Sequence, residues 1–308
     1  MNNTRPLRIA LLGNAVFSAT SGLVMLTVPD WIGTMLGIEA AVAYRIVGIG
    51  LLIFAMDLIH QATRPRLQTW RALYAVAADL LWVLGSIVGL LFFSAALSHD
   101  GVWIVGGVAV IVLAFGIWQL RGIDRAHRIS QTGLYPLYRH CVMVESSAPA
   151  DDLWALIRDL GKISRYMPSL RASMMLNHQL TGVGAIRRCI NKAGDAWAEK
   201  CTAFDDTQRH FTVRFLTEEP GFPFPASRMQ GGWRVDASAD GSTVTIWWEL
   251  VPKSKLMAPL LLPLLAWQAD RDFPRLIAHM TDEALGNKPA QGMNNSWQHS
   301  ARLLAQWC

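Results

Sequence analysis

The side chains whose types and spacing could do chemistry fall into two groups. In the second half of the chain, Lys192-Ala193-Gly194 separates two strand-like stretches, 182–191 and 195–204, as the turn of a hairpin. A three-residue turn sets Arg187 opposite Glu199, and a two-residue turn sets Arg188 there instead. Inside an apolar cavity such a pair would orient a ligand carbonyl or carboxylate. On a sheet surface it is an ordinary cross-strand ion pair that contributes little. The spacing fits both. His140 shares a strand face with Tyr138, Val142 and Val144. It would serve as a general base if a substrate proton came within reach, or as a core histidine satisfied by a neighbour. Trp197 and Trp248, with Phe211 and Phe215 on one face of 209–216 and Trp267 at the end of an apolar run, offer flat surfaces. They either wall a ligand or fill the core. The second group is a pair of carboxylates, Asp57 and Asp79, in otherwise apolar stretches.

Several chemistries are absent from the pattern. The sequence has no hydrolase elbow, phosphate loop, dinucleotide fingerprint or HExxH. Its four cysteines, Cys141, Cys189, Cys201 and Cys308, show no CxxC and no metal-ligand spacing. No metal or cofactor is therefore expected, and the thiols are expected to be reduced. The net charge of +5 does not point to nucleic acid, because the early Arg residues flank apolar segments.

The elements that must position these groups divide the 308 residues in two. Hydrophobic residues make up 52% and charged residues 17%, and the apolar ones are concentrated early. No Lys or Arg lies between Arg71 and Arg121, and no Lys precedes Lys162. Four apolar segments, 9–28, 46–62, 72–97 and 102–120, approach the roughly 20 residues that cross a bilayer as a helix. The first is too long and too weakly terminated for a signal peptide. Arg5 and Arg8, then Arg64, Arg66 and Arg71, then Arg121, Arg125 and Arg128 all fall on one side, against Arg45 on the other. The preference of basic loops for the cytoplasm then predicts an integral protein of the bacterial inner (plasma) membrane with both termini cytoplasmic. In that arrangement Asp57 and Asp79 reach similar depth, about 10 Å inside the cytoplasmic end at 1.5 Å per residue, with Asn14 at a comparable level. A carboxylate inside the core costs roughly 3 kcal/mol. The two either form a proton or ligand site or are satisfied by neighbouring Arg, His or water.

The expected organisation is a membrane module over 1–122, a basic linker over 123–135, a folded domain over 136–286 and a polar tail over 287–308. The folded domain opens with alternation over 138–145. Ser146 and Ser147 end that strand, and Pro149, Asp151 and Asp152 suit the start of a helix carrying Leu153, Trp154, Leu156, Ile157 and Leu160. A turn with Ile163 and Tyr166 stops at Pro168. Strands follow at 170–178, 182–191, 195–204, 209–216, 229–237 and 242–251, with the proline-rich 218–225 between the fourth and fifth of these. The last element is a long helical stretch, 255–285, interrupted by Pro259, Pro263 and Pro274. Its uncharged run 256–267 either dips into a membrane interface and gates a cavity mouth, or is the buried start of that helix.

The order of strand, Ala-Pro, short Trp-containing helix, Ile163-x-x-Tyr166-x-Pro168, run of strands and long helix resembles the START/Bet v 1-like (SRPBCC) superfamily. More narrowly it resembles the polyketide cyclase/dehydrase and lipid-transport type, over about residues 136–286. The resemblance implies a helix-grip domain, in which a curved antiparallel sheet closes around a long C-terminal helix and leaves a cavity. The expected fold class is thus α+β, an all-α four-helix transmembrane module followed by a helix-grip domain. The implied function is a membrane-anchored cytoplasmic module that binds or transfers a lipid or other hydrophobic small molecule. Its partners would be that molecule and the lipid bilayer, with no nucleic acid. A cyclase/dehydratase-type enzyme using His140, Glu199 and Arg187, or a membrane-associated assembly factor, would fit the same fold.

Overall fold

The computed structural model describes residues 4–130, 136–286 and 301–304. Residues 131–135 of the expected linker, and most of the expected tail, lie outside the described residues. The chain divides into two compact units, Asn2–Ala126 and His127–Cys308.

The first unit is helical: α1 (Arg5–Thr27), α2 (Pro29–Leu36), α3 (Ala41–Thr63), α4 (Thr69–Phe93) and α5 (His99–His127). All but α2 are long and apolar enough to cross a membrane. The helices run past the apolar segments, taking in Arg5 and Arg8 at one end and Arg121 and Arg125 at the other. Backbone hydrogen bonding continues through polar residues, so apolar length marks only the part suited to hydrocarbon. The short α2 occupies what reads in the sequence as a loop, with Pro29 in its first turn, where a missing N–H costs nothing. Small residues set the closest helix contact. A Cβ on Gly22 would lie 2.7 Å from the Gly48 carbonyl oxygen, and one on Gly48 would lie 2.8 Å from that of Gly22. The backbones of α1 and α3 therefore meet only because neither residue has a side chain. Leu7, Leu11, Leu58 and Ile123 are buried, whereas Val16, Leu81, Leu91, Phe92 and Trp103 point outward and are exposed. A rim of large apolar side chains suits hydrocarbon and not water.

The second unit is a sheet gripping a helix. Its elements are β1 (Arg128–Ser130), β2 (Leu137–Ser146), α6 (Ala150–Ile157), a 3₁₀ turn (Leu160–Arg165), β3 (Leu170–Met175), β4 (Ile186–Asn191), β5 (Ala196–Asp205), β6 (His210–Phe215), β7 (Ala226–Ser238), β8 (Gly241–Pro252), α7 (Ala258–Ala284) and β9 (Ala301–Leu303). Among the described residues these strands form one nine-stranded sheet in the order β1-β2-β8-β7-β6-β5-β4-β3, with β9 also on β2. Every pairing is antiparallel. Alternation sets the inner face: Val244, Ile246, Trp248 and Leu250 of β8 are buried, as are Val142 and Val144 of β2. Leu153, Trp154 and Ile157 of α6 and Leu276, Ile277 and Met280 of α7 pack against that face. The β7–β8 turn closes on Gly241 at φ +141°, where a Cβ would lie 2.2 Å from the Ser146 carbonyl oxygen.

Two sequence expectations are corrected here. The long C-terminal helix is not interrupted at Pro263 or Pro274, since α7 runs through both. Each costs the helix about 3 kcal/mol, and burial of Leu262, Ala266, Leu276 and Ile277 offsets that cost. The thiols are also not all reduced: Cys141 is disulfide-bonded, while Cys189 and Cys201 are free and buried.

Candidate functional site

The inner face of the sheet and α7 leave between them a partly open cavity of about 180 Å³. Period-two side-chain direction selects its walls: Arg187 and Cys189 from β4, Trp197 and Glu199 from β5, Val213 and Phe215 from β6, Met229, Gly231 and Trp233 from β7, and Ile246 and Trp248 from β8. Leu265, Gln268, Ala269, Asp272 and Phe273 of α7 close it, Ile163, Met167, Ser169, Leu170 and Phe224 add to the rim, and Trp247 reaches it from outside the period-two pattern of β8. Most of this wall is aromatic or aliphatic, and Gly231 contributes space instead of a side chain. Aromatic edges lock the wall: Trp197 meets Phe224 edge-on at 5.2 Å, and Phe215 meets Phe224 at 6.0 Å.

Arg187 and Glu199 face each other directly across β4 and β5. This is the register of the three-residue turn, and it takes the buried form of the two readings, each side chain being 5% exposed. Arg187 donates from Nε (2.9 Å) and Nη2 (2.6 Å) to Glu199 Oε2, and from Nη1 to the Leu160 carbonyl (3.1 Å). Trp197 Nε1 donates to Glu199 Oε1 at 2.7 Å. Both carboxylate oxygens are thus occupied. Burial works against the Arg187 charge, but the Glu199 carboxylate more than offsets it, so the guanidinium holds its proton more tightly than usual. Burial, reinforced by the Glu199 charge, pushes the Cys189 thiol up to about 12. Burial also raises the Cys201 thiol. Neither sulfur is a thiolate nucleophile at neutral pH.

The remaining expected cavity residues lie away from this space. His140 is buried, with Nε2 2.8 Å from Asp270 Oδ1 of α7 and its ring 5.7 Å from that of His127. Tyr138 packs in a separate apolar cluster with Leu250 and Leu262. Val142 is part of the main core, and so is Phe211, which stacks on Trp233 at 6.2 Å. Trp267 points outward from α7 under the Arg271 guanidinium, 4.7 Å away. The expectation that these five line the cavity is corrected: Trp267 lies on the outer face of α7, and the four strand residues share another reason. Inward direction on a strand does not guarantee a void, and α7 and the neighbouring rings fill the space beside β2 and the far end of β6. Trp197, Phe215 and Trp248 do line it. Gln268, Asp272 and Phe273 escaped the sequence reading, although Leu265, Gln268, Asp272 and Phe273 recur at helical spacing along 255–285.

In the first unit the two carboxylates have different surroundings. Asp57 pairs with Arg71 Nη2 at 2.9 Å and accepts a hydrogen bond from Gln61. Asp79 is buried and accepts from Asn14 Nδ2 at 3.0 and 2.9 Å and from Gln119 Nε2 at 2.9 Å. Asp57 takes the ion-paired form; Asp79 is held by neutral amides, which the sequence reading did not foresee.

Residues 140–284 match the family described as polyketide cyclase / dehydrase and lipid transport. No curated protein matches the sequence. Among solved structures, the Zhui aromatase/cyclase from a Streptomyces species is 18% identical, with a TM-score of 0.38 over 51% of this chain and 98% of that one. A norcoclaurine synthase from Thalictrum flavum, solved as a point mutant with a transition-state analogue, is 18% identical, with a TM-score of 0.37 over 51% and 98%. Ara h 8.0201 is 13% identical, with a TM-score of 0.40 over 49% and 99%.

Two predictions follow from the buried charges and thiol. Arg187→Met leaves Glu199 buried and unpaired and should destabilise the unit by about 3–5 kcal/mol, whereas adding Glu199→Leu should recover much of the loss. Denaturant midpoints of the full chain in detergent check this; equal losses in the single and double variants would contradict the coupling. Cys189 has a folded value of about 12 against an ordinary value of 9.0, so its neutral form is favoured by folding. The stability it contributes is complete below about pH 9 and is lost as pH rises through about 12. The thermal midpoint of the parent should therefore fall relative to that of Cys189→Ala in alkali, and a constant difference across that range would refute it.

Proposed function

We propose, from the match of residues 140–284 to the polyketide cyclase / dehydrase and lipid transport family, that the second unit binds a small apolar molecule or lipid and carries it beside a membrane. The observation that carries this reading is the cavity itself: a partly open space between sheet and helix, walled by Trp197, Phe215, Phe224, Trp233 and Trp248. An apolar cavity of about 150 Å³ is enough to bind benzene, so about 180 Å³ admits a small ring or the end of a longer chain. The Arg187–Glu199 pair gives this wall a charged region suited to orienting a carbonyl or hydroxyl at one end of the ligand, and Asp272 of α7, ion-paired with Arg271 at 2.8 Å, is a further carboxylate in the wall. Carriage is favoured over catalysis by the state of the reactive groups. Both Glu199 oxygens are engaged, Cys189 keeps its proton, and His140 lies outside the cavity wall.

In this reading the four apolar helices anchor the cavity unit to the bilayer. Eight Arg residues (Arg5, Arg8, Arg64, Arg66, Arg71, Arg121, Arg125 and Arg128) stand on the side of the chain's cavity unit, against Arg45 opposite. That asymmetry favours a cytoplasmic cavity unit. The disulfide at Cys141 pulls the other way, because cytoplasmic thiols are usually kept reduced. The Arg distribution outweighs it because it is repeated in three separate groups along the chain.

Organic extraction of the purified full chain, followed by mass spectrometry, should yield an enriched apolar species. Ala269→Phe, which adds a ring to the cavity wall, should deplete it several-fold. An empty extract from folded parent protein would remove the carrier reading. Protease added to the outside of intact spheroplasts should leave the cavity unit uncut; cleavage there would reverse the orientation.

A further inference from the structure

The helix that closes the cavity has an outer face the fold does not use. Along α7 and the residues just before it, Leu256, Leu260, Leu264, Trp267, Arg271, Arg275 and His279 follow one another at steps of three or four, so they form one line down the helix. All are exposed. Leu256 is 87% exposed and Leu264 52%, and Met257 widens the stripe at 47%. The opposite face is committed to the fold, with Ala258, Leu262 and Ala266 buried. The stripe changes character once: it is apolar through Trp267 and then carries Arg271 and Arg275, of which Arg271 also pairs with Asp272 at 2.8 Å. At the change, the Arg271 guanidinium lies 4.7 Å over the Trp267 ring.

From this we infer that the amino-terminal half of α7 docks into a lipid surface. Leu256, Met257, Leu260 and Leu264 enter the acyl region, Trp267 sits at the boundary, and Arg271 and Arg275 meet headgroup phosphates. An exposed apolar stripe ending in an indole and then cations is the pattern of an interfacial helix. Charge favours this occupant over a second copy of the chain: phosphates answer Arg271 and Arg275, whereas another α7 presents the same cations. Covalent connection favours it too, since β1 begins at Arg128, immediately after the last membrane-length helix ends at His127. This inference rests on the proposed anchoring of the four helices in a bilayer. It adds that the wall of the cavity, which includes Leu265, Ala269 and Phe273 on the same helix, is itself in contact with lipid, giving an apolar ligand a route that avoids water.

The test uses the full chain reconstituted into vesicles of phosphatidylcholine and phosphatidylglycerol. An environment-sensitive fluorescent amino acid replaces, one at a time, Leu260, Leu264, Leu81 on the outward face of α4, or Thr207 in the exposed β5–β6 turn. Lipids brominated in their acyl chains should quench the probe several-fold at positions 260, 264 and 81, and leave it unchanged at 207. If position 81 is quenched while 260 and 264 behave like 207, docking is wrong and anchoring stands. If position 81 is not quenched either, the anchoring on which the inference depends fails with it. Blue-shifted emission at 260 that appears only at high protein density, without quenching by lipid, would assign the stripe to a second copy and overturn the inference.

Discussion

Beyond the short α6, one long helix has to cover the inner face of a nine-stranded sheet, and it does so unevenly. Where α7 meets β2, the contact is tight and includes polar ties: Ser146 and Thr281 hydroxyls lie 2.7 Å apart, and His140 reaches Asp270 at 2.8 Å. Over β4 to β8 the helix stands off, and rings from several strands frame the gap without filling it. Protein interiors are normally packed with few voids, so the space left between α7 and these strands is the feature around which the site is built. The same constraint explains α7's tolerance of Pro263 and Pro274: the area buried by its inner face outweighs the two missing hydrogen bonds.

The Arg187–Glu199 pair shows how a charged group survives in that wall. Each ion loses hydration on burial, and direct attraction alone seldom restores what is lost. Here the Leu160 carbonyl and the Trp197 indole take up further hydrogen-bonding capacity on the two partners. The pair is thereby fixed in position, and its negative end helps keep the Cys189 thiol neutral. Fixed, satisfied charge suits orientation of a bound molecule better than proton transfer, which requires an oxygen free to gain and lose a proton.

A similar contrast runs through the first unit. Asp57 has a cation and partial exposure, whereas Asp79 is buried among the Asn14 and Gln119 amides. Both sit in stretches whose apolar character is obvious from composition, but their surroundings depend on which helix faces meet. The Gly22–Gly48 approach is one contact that fixes those faces.

Much of the architecture was legible in the sequence because it rests on local periodicity. Apolar length marked four membrane-scale helices, alternation marked the strands, and the order of elements carried the resemblance to the helix-grip fold. Turn length even fixed the Arg187–Glu199 alternatives to two registers. Local pattern did not decide which inward-facing residues meet empty space. Tyr138, His140 and Val142 have the same inward direction as Trp248, but α7 and its neighbours fill the room in front of them. Nor did it expose Gln268 and Asp272 as cavity residues, or the amide partners of Asp79. A chain determines side-chain direction residue by residue through backbone geometry; what stands opposite each side chain is set by distant segments, and only the packed structure decides that.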